Sequence, residues 1–209
     1  MESKLKVYDY NGVLVSVDGF KEFLRENHPQ IYDIWVVQGA VDPEVKRAAK
    51  GRVNELFETA NREGSYPISL MPHVKGRLQL DNDQGYQVAV FTTCTRELVE
   101  EKTRELGIRP CIHHIISLDE LISIYNIEGA IKEDPRTFAF LMEHLSRTGA
   151  DLRSYADDSE IRIQAMMQAK KVRSSEGKPV FENAYWLAST KDPSEKQGYR
   201  IINDIMLAE

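Results

Sequence analysis

Three short polar clusters hold the side chains of this 209-residue chain that are best suited to covalent or metal chemistry. Asp9, Tyr10, Asn11 and Gly12 follow the short β-prone run Leu5 to Tyr8. Thr92 and Thr93 follow Gln87 to Phe91. Asp157, Asp158 and Ser159 follow Leu152 to Ala156. Each run reads as a buried strand that stops at a polar turn. In an open parallel sheet the carboxyl ends of the strands line one edge, where ligands bind, so the fold gathers residues far apart in sequence. Two or three carboxylates at that edge repel one another unless a cation neutralises them. Lys132, just before the helix start Asp134-Pro135, is the lysine expected there. A hard divalent cation such as Mg²⁺ also suits carboxylate, carbonyl and water ligands. Carboxylate, metal, lysine and hydroxyl together describe a phosphoryl-transfer site. The carboxylate attacks phosphorus while the cations and the hydroxyl stabilise the equatorial oxygens.

The elements that must position these groups follow from periodicity and punctuation. Residues 18–71 read as helical, with no strand signal. Phe20, Phe23 and Leu24 share one face, and Asp42-Pro43-Glu44 combines an N-cap, proline at the first helical position and an acid in the first turn. That helix is expected to run to about Glu63 and stop at Gly64. Beyond Pro72, helices are expected over His73 to Leu80, Arg96 to Leu106, Asp134 to Leu145 and Ile161 to Ala169. Strands are expected at Gln87 to Phe91, Cys111 to Ile116 and Leu152 to Ala156, with a weaker one at Lys170 to Arg173. In the tail, Ser189 to Gln197 reads as a loop and Tyr199 to Leu207 as a final helix. Alternating strands and helices imply βαβ units. The fold class expected is α/β: a Rossmann-like parallel sheet with helices on both faces and an inserted all-helical cap. The core is assigned to residues 1–16 and 72–209, and the cap to 17–71.

Composition narrows the partners. Apolar residues make up 42% and charged residues 29%, the balance of a globular chain able to bury its own core. The net charge of -6 gives no global attraction to nucleic acid or an anionic membrane. The expected partner is therefore a small molecule, with no nucleic acid and no membrane, and the protein is expected as a monomer or homodimer. Cys94 and Cys111 are the only cysteines, too few for a disulfide framework, which fits a reducing cytoplasm. Met1 to Lys4 lacks the apolar core of a signal peptide.

With these four stretches in view, the chain resembles the haloacid dehalogenase-like (HAD) hydrolases over most of its length. Residues Val7-Tyr8-Asp9-Tyr10-Asn11-Gly12-Val13-Leu14 are similar to the family's D-x-D-G-T/V loop. Val90-Phe91-Thr92-Thr93 resembles its strand-end Ser/Thr. Lys132-Glu133-Asp134-Pro135-Arg136-Thr137-Phe138 is close to K-P-D-P-x-x-F, and Tyr155-Ala156-Asp157-Asp158-Ser159 resembles its acidic motif. Each motif alone is weak; their order and spacing carry the resemblance. It implies a Mg²⁺-dependent phosphatase of a small phosphorylated metabolite. Asp9 would be the nucleophile, forming an aspartyl-phosphate. Thr92, with Thr93, would bind the phosphoryl oxygens, and Lys132 would orient Asp9. Asp158 and Asp157, with Asp9 and the Asn11 carbonyl, would hold Mg²⁺. The helical insertion resembles the cap of the subclass with phosphoglycolate phosphatase and haloacid dehalogenases.

Two positions depart from that pattern. Phosphatases of the family carry an acid where Asn11 stands, and Asn exchanges no proton near neutral pH. Arg162 stands where many members have Asp or Asn, and can pair with Asp157 or Asp158 and weaken metal binding. These departures leave two alternatives open. One is a catalytically weakened relative that binds a phospho-ligand or a partner protein. The other is dehalogenase or phosphonatase chemistry, the latter needing a cap lysine such as Lys21, Lys46 or Lys50. The cationic run Lys46, Arg47, Lys50 and Arg52 reads chiefly as a solvated helix face, the alternative being that one of them, or Arg25, reaches the anionic end of a substrate. Tyr32, Trp35 and Phe57 read as cap core, and His113-His114 and Cys94 as structural residues.

Overall fold

In a computed structural model the protein is described at residues 3–38, 43–188, 194–196 and 198–208. It divides into two compact units, one made of residues up to 14 with those from 70 onward, the other of Val15–Ser69.

The larger unit is built on a seven-stranded sheet. Its strands are β1 (Lys4–Asp9), β2 (Tyr86–Thr92), β3 (His114–Ser117), β4 (Asp151–Asp157), β5 (Asn183–Leu187), β6 (Ser194–Lys196) and β7 (Tyr199–Ile202). The spatial order is β3-β2-β1-β4-β5-β7-β6. Neighbours pair in parallel except β6, which runs antiparallel to β7. The chain leaves the central β1, adds β2 and β3 on one side, then returns to add β4 on the other. That reversal is the topological switch point of an open α/β sheet. It places the carboxyl ends of β1, β2 and β4 side by side.

Strand alternation decides which helix each face receives. Leu5 and Val7 of β1, with Ala89 and Phe91 of β2, enter a core with Phe138, Leu141, Ile163 and Met166. Those four belong to α7 (Pro135–Ser146) and α8 (Glu160–Ser175). On the other face Lys6 and Tyr8 reach Asp81 of α4 (Val74–Asp83). Two more helices complete this unit, α5 (Arg96–Glu105) and α6 (Leu118–Tyr125). Ser117 opens α6 with a capping box, its hydroxyl accepting from the Glu120 amide and its amide donating to the Glu120 carboxylate. No helix among the described residues is long and apolar enough to cross a membrane.

The regular elements of the Val15–Ser69 unit are all helical among its described residues: α1 (Asp18–Asn27), α2 (Pro29–Tyr32), a π-helical turn (Asp33–Gln38) and α3 (Pro43–Arg62). The expected cap residue of α3, Asp42, lies outside the described residues, and Gly64 follows the helix at φ +66°. Phe20 organises the interior, its ring centroid 5.0 Å from Phe57, 5.5 Å from Tyr66 and 6.1 Å from Trp35. Asn61 ties α3 to Tyr66 by donating to its hydroxyl at 2.6 Å. Phe57 thus packs as core of this unit, and Trp35 and Tyr32 are half-buried.

Several expected elements differ. Lys170 to Arg173 is not a strand but the continuation of α8. Ile163, Met166, Ala169 and Arg173 recur at helical spacing and are all buried. Arg173 earns its place by donating to the carbonyls of Ala139 and Pro179 and to Glu143. The strand beside β4 is instead β5, from the tail. Tyr199–Ile202 is a strand, not a helix, with its ends buried and its β-branched pair extended against β5. Only Ile205–Leu207 turns helically. Ser194–Lys196 forms a short edge strand inside the expected loop, while 189–193 and 197 lie outside the described residues. The third strand starts at His114 rather than Cys111, because Pro110 favours a helical φ and sits in a 3₁₀ turn, Arg109–Cys111.

Candidate functional site

β1 ends on Asp9, whose register partner on β2 is Phe91, so Thr92 lies one step beyond it. On the other flank Tyr8 pairs with Ala156, which brings Asp157 alongside Asp9. After Asp9 the chain turns at once: the Leu14 amide donates to the Tyr10 carbonyl at 3.0 Å. Gly12 makes that turn at φ +83°, and a Cβ there would overlap the Asp158 carboxylate. Glycine is required both by the left-handed backbone and by the approach of the two loops.

Lys132 enters from the loop before α7. Asp134 caps that helix by accepting from the Arg136 amide at 2.8 Å, with Pro135 at the first helical position. Thr137 donates to the Ile131 carbonyl at 2.8 Å, which pins the loop. Lys132 is fully buried, and its ammonium donates to Asp9 Oδ1 at 2.5 Å and to the Phe91 carbonyl at 2.8 Å. It lies 3.8 Å from Asp157 Oδ2 and 4.6 Å from the centre of the Phe91 ring.

The second cation is Arg162, in the first turn of α8. A cation there opposes the helix dipole, so its position needs another source of stability. Nη1 lies 3.0 Å from Asp9 Oδ2, 3.3 Å from Asp157 Oδ1 and 3.8 Å from Asp158 Oδ1. Nε donates to Glu133 Oε1 at 3.2 Å. Burial works against its charge, but Asp157, Asp9, Asp158 and Glu133 together hold the guanidinium well above its ordinary range. Arg162 therefore stays protonated across the working pH range.

The carboxylates are not equivalent. Burial pushes Asp9 above the usual carboxylate range, with the like charge of Asp157 adding to it and Lys132 and Arg162 opposing. Asp157 is fully buried, and burial disfavours its charge as well. Arg162 and Lys132, with hydrogen bonds from the Tyr155 hydroxyl and the Ser159 amide, outweigh that and hold it low. Asp158 is pushed up to about 7 by the protein around it and by Asp157 and Asp9. Its outer edge meets solvent, with 40% of the side chain exposed, and water tempers that shift. Its backbone carbonyl accepts from Trp186 Nε1 of β5 at 3.1 Å.

Asp9, Lys132, Asp157 and Asp158 thus come together, with Thr92 beside them in register. Thr92 is buried and its hydroxyl accepts from the Cys94 amide at 3.0 Å. Thr93 is half-buried. Asn11 turns its amide to Cys94 Sγ at 3.4 Å, and its buried Oδ1 lacks a partner among the described residues. His113 and His114 sit elsewhere, against the Val88 amide and Gln87. Lys21, Arg25 and Arg52 pair with acids one turn away on their own helices, as a solvated face does. The side chains of Lys46, Arg47 and Lys50 lie outside the described residues.

Two site residues escaped the sequence reading, Glu133 and Tyr155. Glu133 stands where the resembled motif has proline, and that departure was its one signal. Tyr155 precedes Asp157 by two residues, so both project from the same face of β4.

The oxygens of Asp9, Asp157 and Asp158 lie within 4.8 Å of one another, close enough to share a metal ion. Mg²⁺ binds such oxygens at about 2.0–2.1 Å in octahedral geometry. Arg162 Nη1 lies against an oxygen of each of the same three carboxylates, so the guanidinium and a Mg²⁺ ion would compete for them.

No protein-family model and no curated protein matches the chain. Solved structures do. A dehalogenase superposes with a TM-score of 0.60 at 16% identity, covering 97% of this chain and 93% of that one. An L-2-haloacid dehalogenase from Xanthobacter autotrophicus gives 0.58 at 14%, covering 91% and 79%. A HAD phosphatase from Thermococcus onnurineus gives 0.56 at 16%, covering 96% and 93%. The fold of this chain is that of the haloacid dehalogenase-like proteins.

Proposed function

We propose that this chain, which carries the haloacid dehalogenase-like fold, is a hydrolase with Asp9 as its nucleophile and a small phosphorylated metabolite as its substrate. The observation that supports this most directly is the clamp on Asp9: one carboxylate oxygen meets Lys132 and the other Arg162. Two fixed cations oppose the effect of burial on the charge of that carboxylate and fix its direction of attack. Asp9 would form a bond to phosphorus as the bond to the leaving oxygen breaks, giving an aspartyl-phosphate that water then hydrolyses. Thr92, Lys132 and Arg162 are the groups that would face the negative charge of the transferring oxygens.

The leaving group takes the electron pair and needs a proton unless it is a stable anion. Asn11 supplies none. Turnover is therefore expected with p-nitrophenyl phosphate or an acyl phosphate and to be slow with alkyl phosphates. Asp9→Asn should abolish phosphate release from p-nitrophenyl phosphate. Asn11→Asp should raise turnover of an alkyl phosphate by about 10²–10⁴-fold, the usual worth of general acid–base catalysis. Unchanged release in Asp9→Asn would rule the nucleophile out. A parent without turnover that gains it only with Asn11→Asp is instead a catalytically weakened relative that binds its phospho-ligand.

A second reading rests on the same two departures. A carboxylate that attacks carbon and expels halide needs neither a proton donor nor a metal. Asn11 and Arg162 are compatible with that chemistry, and halide release from a short 2-haloacid distinguishes it from phosphate release.

A further inference from the structure

We infer that Arg162 is the resident cation of this site, filling with a guanidinium the place of a divalent metal, so that the intact protein binds no such metal among Asp9, Asp157 and Asp158. Three observations converge on this. Nη1 lies within 3.0 to 3.8 Å of an oxygen of each carboxylate. The opposite side of the same side chain is held by Glu133, so it is anchored at both ends rather than draped over the cluster. Its position at the start of α8 runs against the helix dipole, and no other acid among the described residues forms an ion pair with it.

Four carboxylates, those of Asp9, Asp157, Asp158 and Glu133, face two cations, Lys132 and Arg162, so charge alone would still attract a metal, and what stands against it is the guanidinium already lodged among the carboxylates. A guanidinium cannot lose its proton at any working pH, and unlike a bound ion it cannot be removed by a chelator. It also offers several fixed N–H directions, two of which are used here on Nη1 and Nε. A divalent ion could enter only if Arg162 swung away, which would break its ion pair with Glu133, or if two cations were set side by side.

The inference goes beyond the assignment of Asp9 as a nucleophile, because cation binding reads the carboxylate cluster whether or not the protein turns over substrate. The test uses the full chain freed of metal with EDTA. Mn²⁺ binding is followed by electron paramagnetic resonance, and the thermal midpoint is read with EDTA and with Mg²⁺. The parent should bind no Mn²⁺ stoichiometrically and should show the same midpoint in both buffers. Arg162→Asn should gain stoichiometric Mn²⁺ binding and a midpoint rise of about 5–10 °C at saturating Mg²⁺. Arg162→Lys keeps the charge and should remain indifferent to metal. Tight, stoichiometric Mn²⁺ binding by the parent overturns the inference, as does a folded Arg162→Asn protein that binds none. If Arg162→Asn does not fold even with Mg²⁺, the parent titration decides alone.

Discussion

Gly12 lies at the centre of the contact between the β1 and β4 loops. It has φ +83° and no room for a Cβ beside Asp158. Gly12→Ala should cost about 1–3 kcal/mol from the backbone alone and push Asp158 away from the cluster. Urea denaturation would check the first effect; an unchanged midpoint would mean the turn relaxes freely. At this scale the sequence was informative where chemistry is local. Asp9, Thr92, Lys132, Asp157 and Asp158 each end a strand or precede a helix, and the two departures, Asn11 and Arg162, were visible as residue types. The role of Arg162 was less legible. Its pairing with Asp158 follows from helical spacing, but its contacts with Asp9, 153 residues away, and with Glu133 exist only after the sheet and α8 are assembled.

At the scale of elements, strands and helices differ in how much of them periodicity reveals. β2 stands out as a continuous apolar run, and β1 and β4 as short β-prone runs that carry Lys6, Arg153 and Ser154 among their apolar residues. β5 and β7 do not, because they are only five and four residues long, β5 opens on Asn183 and β7 carries Arg200. The α8 helix was cut short in the sequence reading because Lys170 and Lys171 mask its buried stripe. The face of β1 opposite the site carries a polar knot that no pattern announced. Asp81 of α4 accepts from Lys6 at 2.9 Å, from Arg77 at 2.8 Å and from the Tyr8 hydroxyl at 2.6 Å. Arg77 also donates to the Met206 carbonyl at 3.1 Å, tying in the last 3₁₀ turn. Lys6 in the middle of a strand reads as exposed until its partner is known. Asp81→Ala removes the carboxylate that both cations share and should destabilise the protein by about 3–5 kcal/mol. A loss below about 1 kcal/mol in chemical denaturation would show that Lys6 and Arg77 are satisfied elsewhere. Because Asp81 lies on the far face from Asp9, the variant that remains folded should keep its turnover.

For the molecule as a whole, the carboxylate cluster makes stability depend on pH with a definite sign. Asp158 is raised from 3.8 to about 7 in the folded protein, so the folded state holds that proton more tightly than the unfolded chain does. Its contribution is complete below about pH 4 and is lost as pH rises through about 7. Asp157 has the opposite sign, since its folded value is lowered, and its contribution is lost only as pH falls into the acid range. The thermal midpoint of the parent should therefore fall between about pH 5 and about pH 8 by more than that of Asp158→Asn. Calorimetry of both proteins at the two pH values is the check, and equal falls would remove Asp158 as the cause.

The place of β1 in the sheet has a consequence in time. It is the first strand of this sheet in chain order, yet its neighbours start at residues 86 and 151. Until the second of them is synthesised, Asp9 has neither Asp157 nor Arg162 beside it, and Lys6 and Tyr8 wait for Asp81. Contacts of such long sequence separation must overcome loop-closure entropy before they stabilise anything, so they form late and slowly. Asp9 is thus made before the groups that hold it and is among the last residues to be placed. During synthesis the nascent chain carries an apolar strand with both edges open, the state most in need of protection from aggregation.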